Sequence, residues 1–232
     1  RETAARVAAG AIAKLLLNEL NIDVRSGICE IDGVKADNFN FENARNSEIF
    51  ALDSNVEDAQ KNAILKAKNS HNSVGGVALI NVKNCPVGLG EPIYHKLDAQ
   101  IANAMMSINA VKAVEIGDGI LASRVLGFDN NDQIRKSGFK TNHSGGILGG
   151  ISNGDDINVK VYFKATPSIF IEQETVDIYG NEVECKLKGR HDPCVAIRGS
   201  VVAESMTALV LADMLLLNMS SKVENIKKVY AK

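Results

Sequence analysis

The 232-residue sequence has no tryptophan, four prolines, four tyrosines and seven phenylalanines, so it carries no aromatic-rich platform on which bases or a planar cofactor would stack. No sign of charge dominates either, with 26 Lys+Arg against 28 Asp+Glu and a net charge of -2. A near-neutral chain without a basic run interleaved with aromatics has no field to attract a phosphate backbone, which excludes nucleic acid as the expected partner. The four cysteines, Cys29, Cys85, Cys185 and Cys194, form no Cys-x-x-Cys pair. They read as reduced thiols of a cytoplasmic protein, with neither a disulfide framework nor a metal site. Residues 195–217 make the most apolar stretch, but Arg198, Glu204 and Asp213 lie within it, which a lipid-facing span rarely tolerates. A soluble protein with no membrane partner is expected. The chain opens at Arg1, without a methionine or a charged-then-apolar leader, directly into helical sequence with no capping residue, so a preceding segment is expected too.

Residues 3–20 are Ala-rich and apolar on nearly every side (Val7, Ala8, Ala9, Ile12, Leu15, Leu16, Leu17), and residues 201–217 repeat the pattern. Both read as helices enclosed on all faces, which predicts a central helical layer covered on both sides by the intervening strands. The expected fold is α+β, a layered β-α-β sandwich of apolar central helices between antiparallel sheets. No Pro/Ser-rich linker or low-complexity tract divides residues 1–232, so one domain, truncated at its N-terminus, is expected. Strands are expected at residues 23–31, 77–82 and 157–163, with a hairpin of residues 175–179 and 182–187 around Gly180-Asn181. Ser54 with Glu57 forms a capping box for a helix to about Ala67, and Leu97, Ile101, Met105 and Ile108 make one apolar stripe. Gly75-Gly76-Val77 and Gly149-Gly150-Ile151, each followed by an Ile-Asn-Val-Lys run, form an internal echo that either chance or duplication would produce.

Three segments carry candidate chemistry. Gly189-Arg190-His191-Asp192-Pro193-Cys194 precedes the second apolar helix. Asp192 as N-cap with Pro193 at N1 accounts for two of these residues. Arg190 and His191, however, crowd cations beside a helix end that already favours anions, which a cap does not require. A cation next to Asp192 would suit it to accept a proton or orient a donor. Residues 142–154 hold five glycines in thirteen positions and could cradle a phosphate on backbone N–H groups or simply make turns. Lys164-Ala165-Thr166-Pro167-Ser168 ends an alternating strand with a cation, two hydroxyls and a fixed turn, either an anion site or an ordinary strand exit. Glu204, among Val201, Val202 and Met206, requires a partner.

Taken in order, Arg1-Glu2-Thr3-Ala4-Ala5-Arg6, Met106 through Lys112, Val114-Glu115-Ile116-Gly117-Asp118-Gly119, residues 142–152, Lys164 through Ser168 and residues 189–206 resemble the chorismate synthase family over essentially the whole chain, as its C-terminal two-thirds. The resemblance implies a cytoplasmic homotetrameric lyase of the shikimate pathway. It would convert 5-enolpyruvylshikimate 3-phosphate to chorismate and phosphate by a 1,4-elimination that needs reduced FMN. It implies FMN contacts at Asn109, Ala110, Gly149, Lys164, Ala165, Thr166, Pro167, Ser168 and Arg190, substrate contacts at Arg1 and Arg190, and Asp192 as the acid-base residue beside the flavin. The flavin would be reduced either by the protein with NADPH or by an external reductase. The family's Gly-Glu-Ser-His-Gly signature and two catalytic histidines find no match here, and His71, His95, His143 and His191 stand elsewhere. Residues 1–232 alone are therefore expected to be inactive. The alternative is a non-catalytic fragment keeping the fold and part of an FMN/phosphate site.

Overall fold

The computed structural model of the protein describes residues 2–189 and 191–231. In chain order these form α1 (Glu2–Asn18), β1 (Asp23–Ile31), β2 (Val34–Lys35), α2 (Phe41–Asn46), α3 (Ser54–Asn69), β3 (Gly76–Lys83), α4 (Leu97–Met106), β4 (Val111–Ile116), β5 (Ile157–Phe163), β6 (Gln173–Val176), β7 (Glu182–Cys185), α5 (Ala196–Met219) and α6 (Val223–Tyr230). A 3-10 turn, Gly119–Arg124, and short ladders at residues 134–139 and 147–152 fill the connection from β4 to β5.

Alternation decides which way the main sheet faces. Along β5, Ile157, Val159, Val161 and Phe163 are buried while Asn158, Lys160 and Tyr162 are half-buried on the other face. The five-stranded sheet runs β2-β1-β3-β5-β4, antiparallel throughout, with a bulge in β1 between Ile28 and Glu30. Central β3 is buried on both faces: Ala78, Ile80 and Val82 join the helical core, and Val77 and Leu79 pack with Cys29, Ala44 and Leu52 beneath α2. The α+β class follows from this arrangement, and β6 and β7 make the separate hairpin, its turn held by the Asp177 carboxylate accepting the N–H groups of Tyr179 and Asn181.

Small residues set how closely the layers approach. A Cβ on Gly199 of α5 would lie 2.4 Å from the Phe163 ring, and one on Gly10 of α1 would lie 2.4 Å from Ser205 Cβ. Buried Ser200, Ser205 and Thr207 satisfy their hydroxyls on carbonyls of their own helix, so an apolar neighbourhood costs them nothing unpaired. Glu204 finds the required partner in Lys14 of α1. By composition α5 is long and apolar enough to cross a membrane, yet half of its most apolar window is buried against β1, β3, β5, α1 and α4.

Enclosure on all faces holds for neither apolar helix. Only Gly10, Ala13 and Leu17 of α1 are buried, and Ile12 and Leu15 are 70% and 67% exposed. Among the described residues the sheet covers one side of the helical layer and leaves the other open. The cap of α3 is also one residue earlier than expected: Asp53 accepts the Asn55 N–H, while Glu57 is occupied by Ser47 and Lys61. The glycine echo leads into the adjacent antiparallel strands β3 and β5, but Gly75-Gly76 opens a strand whereas Gly149-Gly150 turns a two-residue ladder.

The loop at residues 141–147 is fixed by two side chains. Asp132 accepts Thr141 Oγ1 and the N–H groups of His143 and Ser144, and Asn142 Oδ1 accepts the Gly146 N–H. Partial burial pushes the Asp132 carboxyl up, but those donors outweigh it and hold the group below its ordinary value of 3.8. A depressed folded value means stability present at neutral pH and lost as pH falls below the ordinary carboxylate range. Protection of the His143 and Ser144 amides from exchange, taken relative to the intrinsic rate at each pH, should therefore fall as pH drops below the ordinary carboxylate range, and Asp132→Ala should produce the same loss of protection at pH 7, with a stability loss of about 1–3 kcal/mol. Gly10→Ala should force α1 from α5 and cost about 1–3 kcal/mol in urea denaturation; an unchanged midpoint would show that the helices can separate freely.

Candidate active site

The segments singled out in sequence divide between two ends of the sheet. At one end, β5 delivers Lys164, whose N–H donates to the Ala110 carbonyl at 2.9 Å, so the turn after α4 and the exit of β5 are joined. Ala110 has φ of 72°, a left-handed conformation that costs a residue with a side chain about 1–2 kcal/mol. Such strain marks backbone held in place by its surroundings and is concentrated at functional sites. Asn109, beside it, reaches Glu2 of α1, and Arg6 ties the same helix to Ser107 through its hydroxyl and carbonyl.

Asp192 comes to this end by a different route. Thr166 Oγ1 donates to the Asp192 carbonyl at 3.2 Å, and the Val74 N–H donates to the Pro193 carbonyl at 2.8 Å. Ser73 Oγ donates to the Thr166 carbonyl at 2.6 Å, so residues 73–74 staple both segments. Gly75 permits the close approach, since a Cβ there would lie 2.7 Å from the Phe163 carbonyl oxygen. His71 and His191 each meet Phe170 edge-on, at 6.1 and 5.2 Å between ring centroids.

Asp192 is not the helix cap. The first helical residue is Ala196 and the cap position is Val195, with no side-chain cap bond. The Pro193 carbonyl is drawn to Val74 instead of opening the helix, which starts three residues later than its sequence signals indicate. Freed from capping, the Asp192 carboxylate takes one ionic partner among the described residues: Arg198 Nη2 donates to Oδ1 at 2.9 Å. The expected partner Arg190, and Arg1, lie outside the described residues. Arg198 was passed over because it appears in the sequence only as a charge within an apolar run, and nothing there shows that the late helix start turns it toward Asp192.

The donor set suits an anionic group. Lys164 is exposed, and among the described residues no acceptor meets the N–H groups of Ala165, Thr166 or Ser168. The buried His191 Nε2 likewise has no partner there. Burial pushes the adjacent Cys194 thiol up, against the N–H groups of Ala196 and Ile197, which leaves it a neutral neighbour. The four cysteines are unpaired thiols, and no cluster of three His, Cys, Asp or Glu capable of holding a metal occurs among the described residues.

Gly149 is not brought to this end. The loop containing it packs at the start of β5, where the Asn158 N–H meets the Gly145 carbonyl, and the Gly150 carbonyl receives the Leu97 N–H at the start of α4. Seven residues of β5, about 20 Å, and ten of α4, about 15 Å, separate it from Lys164 and Ala110. Donors at residues 143–147 are consumed by Asp132, Asn142 and Ser144, so the phosphate-cradle reading fails for residues 143–147; Gly149, at an open tip with φ of 63°, is among the few whose N–H meets no acceptor among the described residues. The cleft of about 400 Å3 lined by Lys14, Asp23, Arg25, Phe41 and Glu204 lies between α1, β1 and α5, not over Asp192.

Comparison with known proteins supplies the frame for this geometry. The chain is 83% identical over 232 residues to chorismate synthase of Aliarcobacter butzleri (strain RM4018) and 64% identical over 232 residues to that of Sulfurimonas denitrificans, covering all of this chain and 65% of each relative. Chorismate synthase of Helicobacter pylori (strain 26695) is 58% identical over 236 residues, 99% of this chain and 65% of the relative. The crystal structure of a chorismate synthase superposes with a TM-score of 0.79 at 34% identity, over 98% of this chain and 67% of that one. The chain thus spans 65% of the length of these two relatives. Residues 1–216 fit the chorismate synthase family model, so the chain whose two ends of sheet are described above belongs to the chorismate synthase family.

Proposed function

We propose that a protein carrying this chain at its relatives' full length converts 5-enolpyruvylshikimate 3-phosphate to chorismate and phosphate, using reduced FMN. The observation that carries this reading is the convergence of Ala110, Lys164 through Thr166 and Asp192, far apart in sequence, on one end of the sheet through direct hydrogen bonds. Family membership supports it independently.

The reaction breaks a carbon–oxygen bond, releases phosphate with the bonding electrons, removes hydrogen from the ring and leaves a new double bond. When bound, reduced FMN would lend electron density to that departure and regain it, so none is consumed. This chain's residues have two tasks. Lys164 and the N–H groups of Ala165, Thr166 and Ser168 would hold anionic oxygens, with Asn109 and the strained Ala110 backbone completing the FMN contacts. The Asp192 carboxylate would accept or hold the proton, because it accepts no backbone N–H among the described residues and its own backbone is bonded to Thr166 at this end of the sheet. With no tryptophan in the chain, flavin is held here by backbone and polar contacts. Arg190 and Arg1 belong to the same proposed binding set, which Gly149, at the other end of β5, does not join; a homotetrameric, cytoplasmic, single-domain enzyme and NADPH as a source of reducing power complete the proposal.

Because Asp192 does not cap α5, Asp192→Asn should leave the thermal midpoint within a few degrees, while turnover in the full-length protein drops by about 10²–10⁴. Normal turnover with normal melting would remove Asp192 from the chemistry. Absorbance titration should show FMN binding weakened by Lys164→Ala, and tightened by substrate, since flavin phosphate and substrate anions would share one pocket. Equal FMN affinity with and without substrate would overturn the shared pocket.

A further inference from the structure

We infer that Arg198 positions Asp192 for its part in the reaction, as the counter-charge that fixes the direction of the carboxylate. The inference rests on the reading of Asp192 as the proton-handling residue, and it assigns a role to a side chain outside every segment discussed above as a binding contact.

Three observations carry it. The backbone of residues 192–193 is pinned on both sides, by Thr166 Oγ1 on the Asp192 carbonyl and by the Val74 N–H on the Pro193 carbonyl, so only the Asp192 side chain has freedom left. That freedom is taken up by Arg198 Nη2 at 2.9 Å from Oδ1, while Oδ2 accepts no hydrogen bond among the described residues. The first turn of α5, which carries Arg198, cannot shift: Ala196 is fully buried, its Cβ 2.9 Å from where a Cβ on Gly76 would stand, and Gly199 is wedged against Phe163. A cation on an immovable turn therefore aims one carboxylate oxygen and leaves the other free.

Stability does not explain the pair. Its side chains are 65% and 34% exposed, and exposed ion pairs contribute only about 0–1 kcal/mol. Nor does it substitute for a cap, since the bond runs from a helical side chain back to a loop residue four positions before the helix begins. Orientation of an acid-base group, by contrast, matters steeply, because misplacement by about 1 Å can cost 10²-fold in rate.

The test is a double-mutant cycle in the full-length protein, with 5-enolpyruvylshikimate 3-phosphate and chemically reduced FMN under anaerobic conditions. Arg198→Met should lower kcat by about 10–100-fold with KM nearly unchanged, and Arg198→Lys should restore much of the loss because a cation returns to the same turn. In an Asp192→Asn background, Arg198→Met should change the residual kcat by less than about 2-fold, as expected for residues that act as one unit. The same fold loss in both backgrounds, or a loss confined to KM, would overturn the positioning role and make Arg198 a binding or surface residue. Should Arg198→Met fold poorly, Arg198→Gln, which keeps a hydrogen-bond donor without charge, replaces it in the cycle with the same expected outcome. Full turnover by Asp192→Asn alone would overturn the acid-base reading of Asp192 and this inference with it, whereas a damaged Asp192→Asn beside a normal Arg198→Met overturns the inference only.

Discussion

Everything at the candidate site depends on how closely α5 lies on the sheet. Gly199 against the Phe163 ring and Ala196 against Gly76 remove the side-chain thickness that normally separates a helix from a strand. The helix start is then held beside the exit of β5, where Lys164 through Ser168 leave the sheet, and residues 191–195 have only a short path between them. Any larger residue at either glycine would lift the helix and carry Asp192 and Arg198 away from Thr166. The site is in this sense a by-product of packing: the hydrogen bonds across it are possible because the core beneath it is thin.

The legible parts of the sequence were those in which one local signal decides. Strands Asp23–Ile31 and Ile157–Phe163 appear with the bounds expected from apolar alternation, while the hairpin forms on Gln173–Val176 and Glu182–Cys185 through a turn of residues 177–181, longer than the Gly180-Asn181 turn expected. What failed was whatever depends on a distant partner. The helical start after Asp192-Pro193 was displaced to Ala196 by a hydrogen bond from Val74, more than a hundred positions earlier. The glycine stretch offers few free donors because Asp132 and Asn142 consume them, and spacing alone cannot show which carboxylate will turn inward. Strand β4 was not anticipated at all, since Val111-Lys112-Ala113-Val114-Glu115-Ile116 has too irregular an alternation around its bulge. Ala110 gave no warning either; its left-handed backbone is imposed by the turn joining α4 to β4, in a residue type that would not choose it.

The open side of the helical layer belongs to the same logic. Residues 3–20 are apolar on nearly every side, and the described sheet covers one of those sides. Ile12, Leu15 and Leu16 face outward opposite that sheet.

Three other aspartates of this chain organise backbone through their carboxylates, and Asp192 differs from them. Asp53 accepts the N–H groups of Asn55, Asn38 and Asp37 and is held below the ordinary carboxylate value by them. Asp177 is lowered by the Asn181 side chain and then by backbone donors of its turn, and Asp132 by the donors of its loop despite its burial. Each is surrounded by fixed donors that leave it nothing to exchange, and each organises the local backbone. Asp192 accepts no backbone N–H among the described residues and meets one cation there, Arg198, at a half-open surface. A carboxylate that neither caps nor closes a turn contributes little to folding, and its placement on doubly pinned backbone then requires another reason. The end of the sheet it occupies, shared with a strained Ala110 and N–H groups after Lys164 that meet no acceptor among the described residues, is where the proposed handling of a proton beside bound anions would supply that reason.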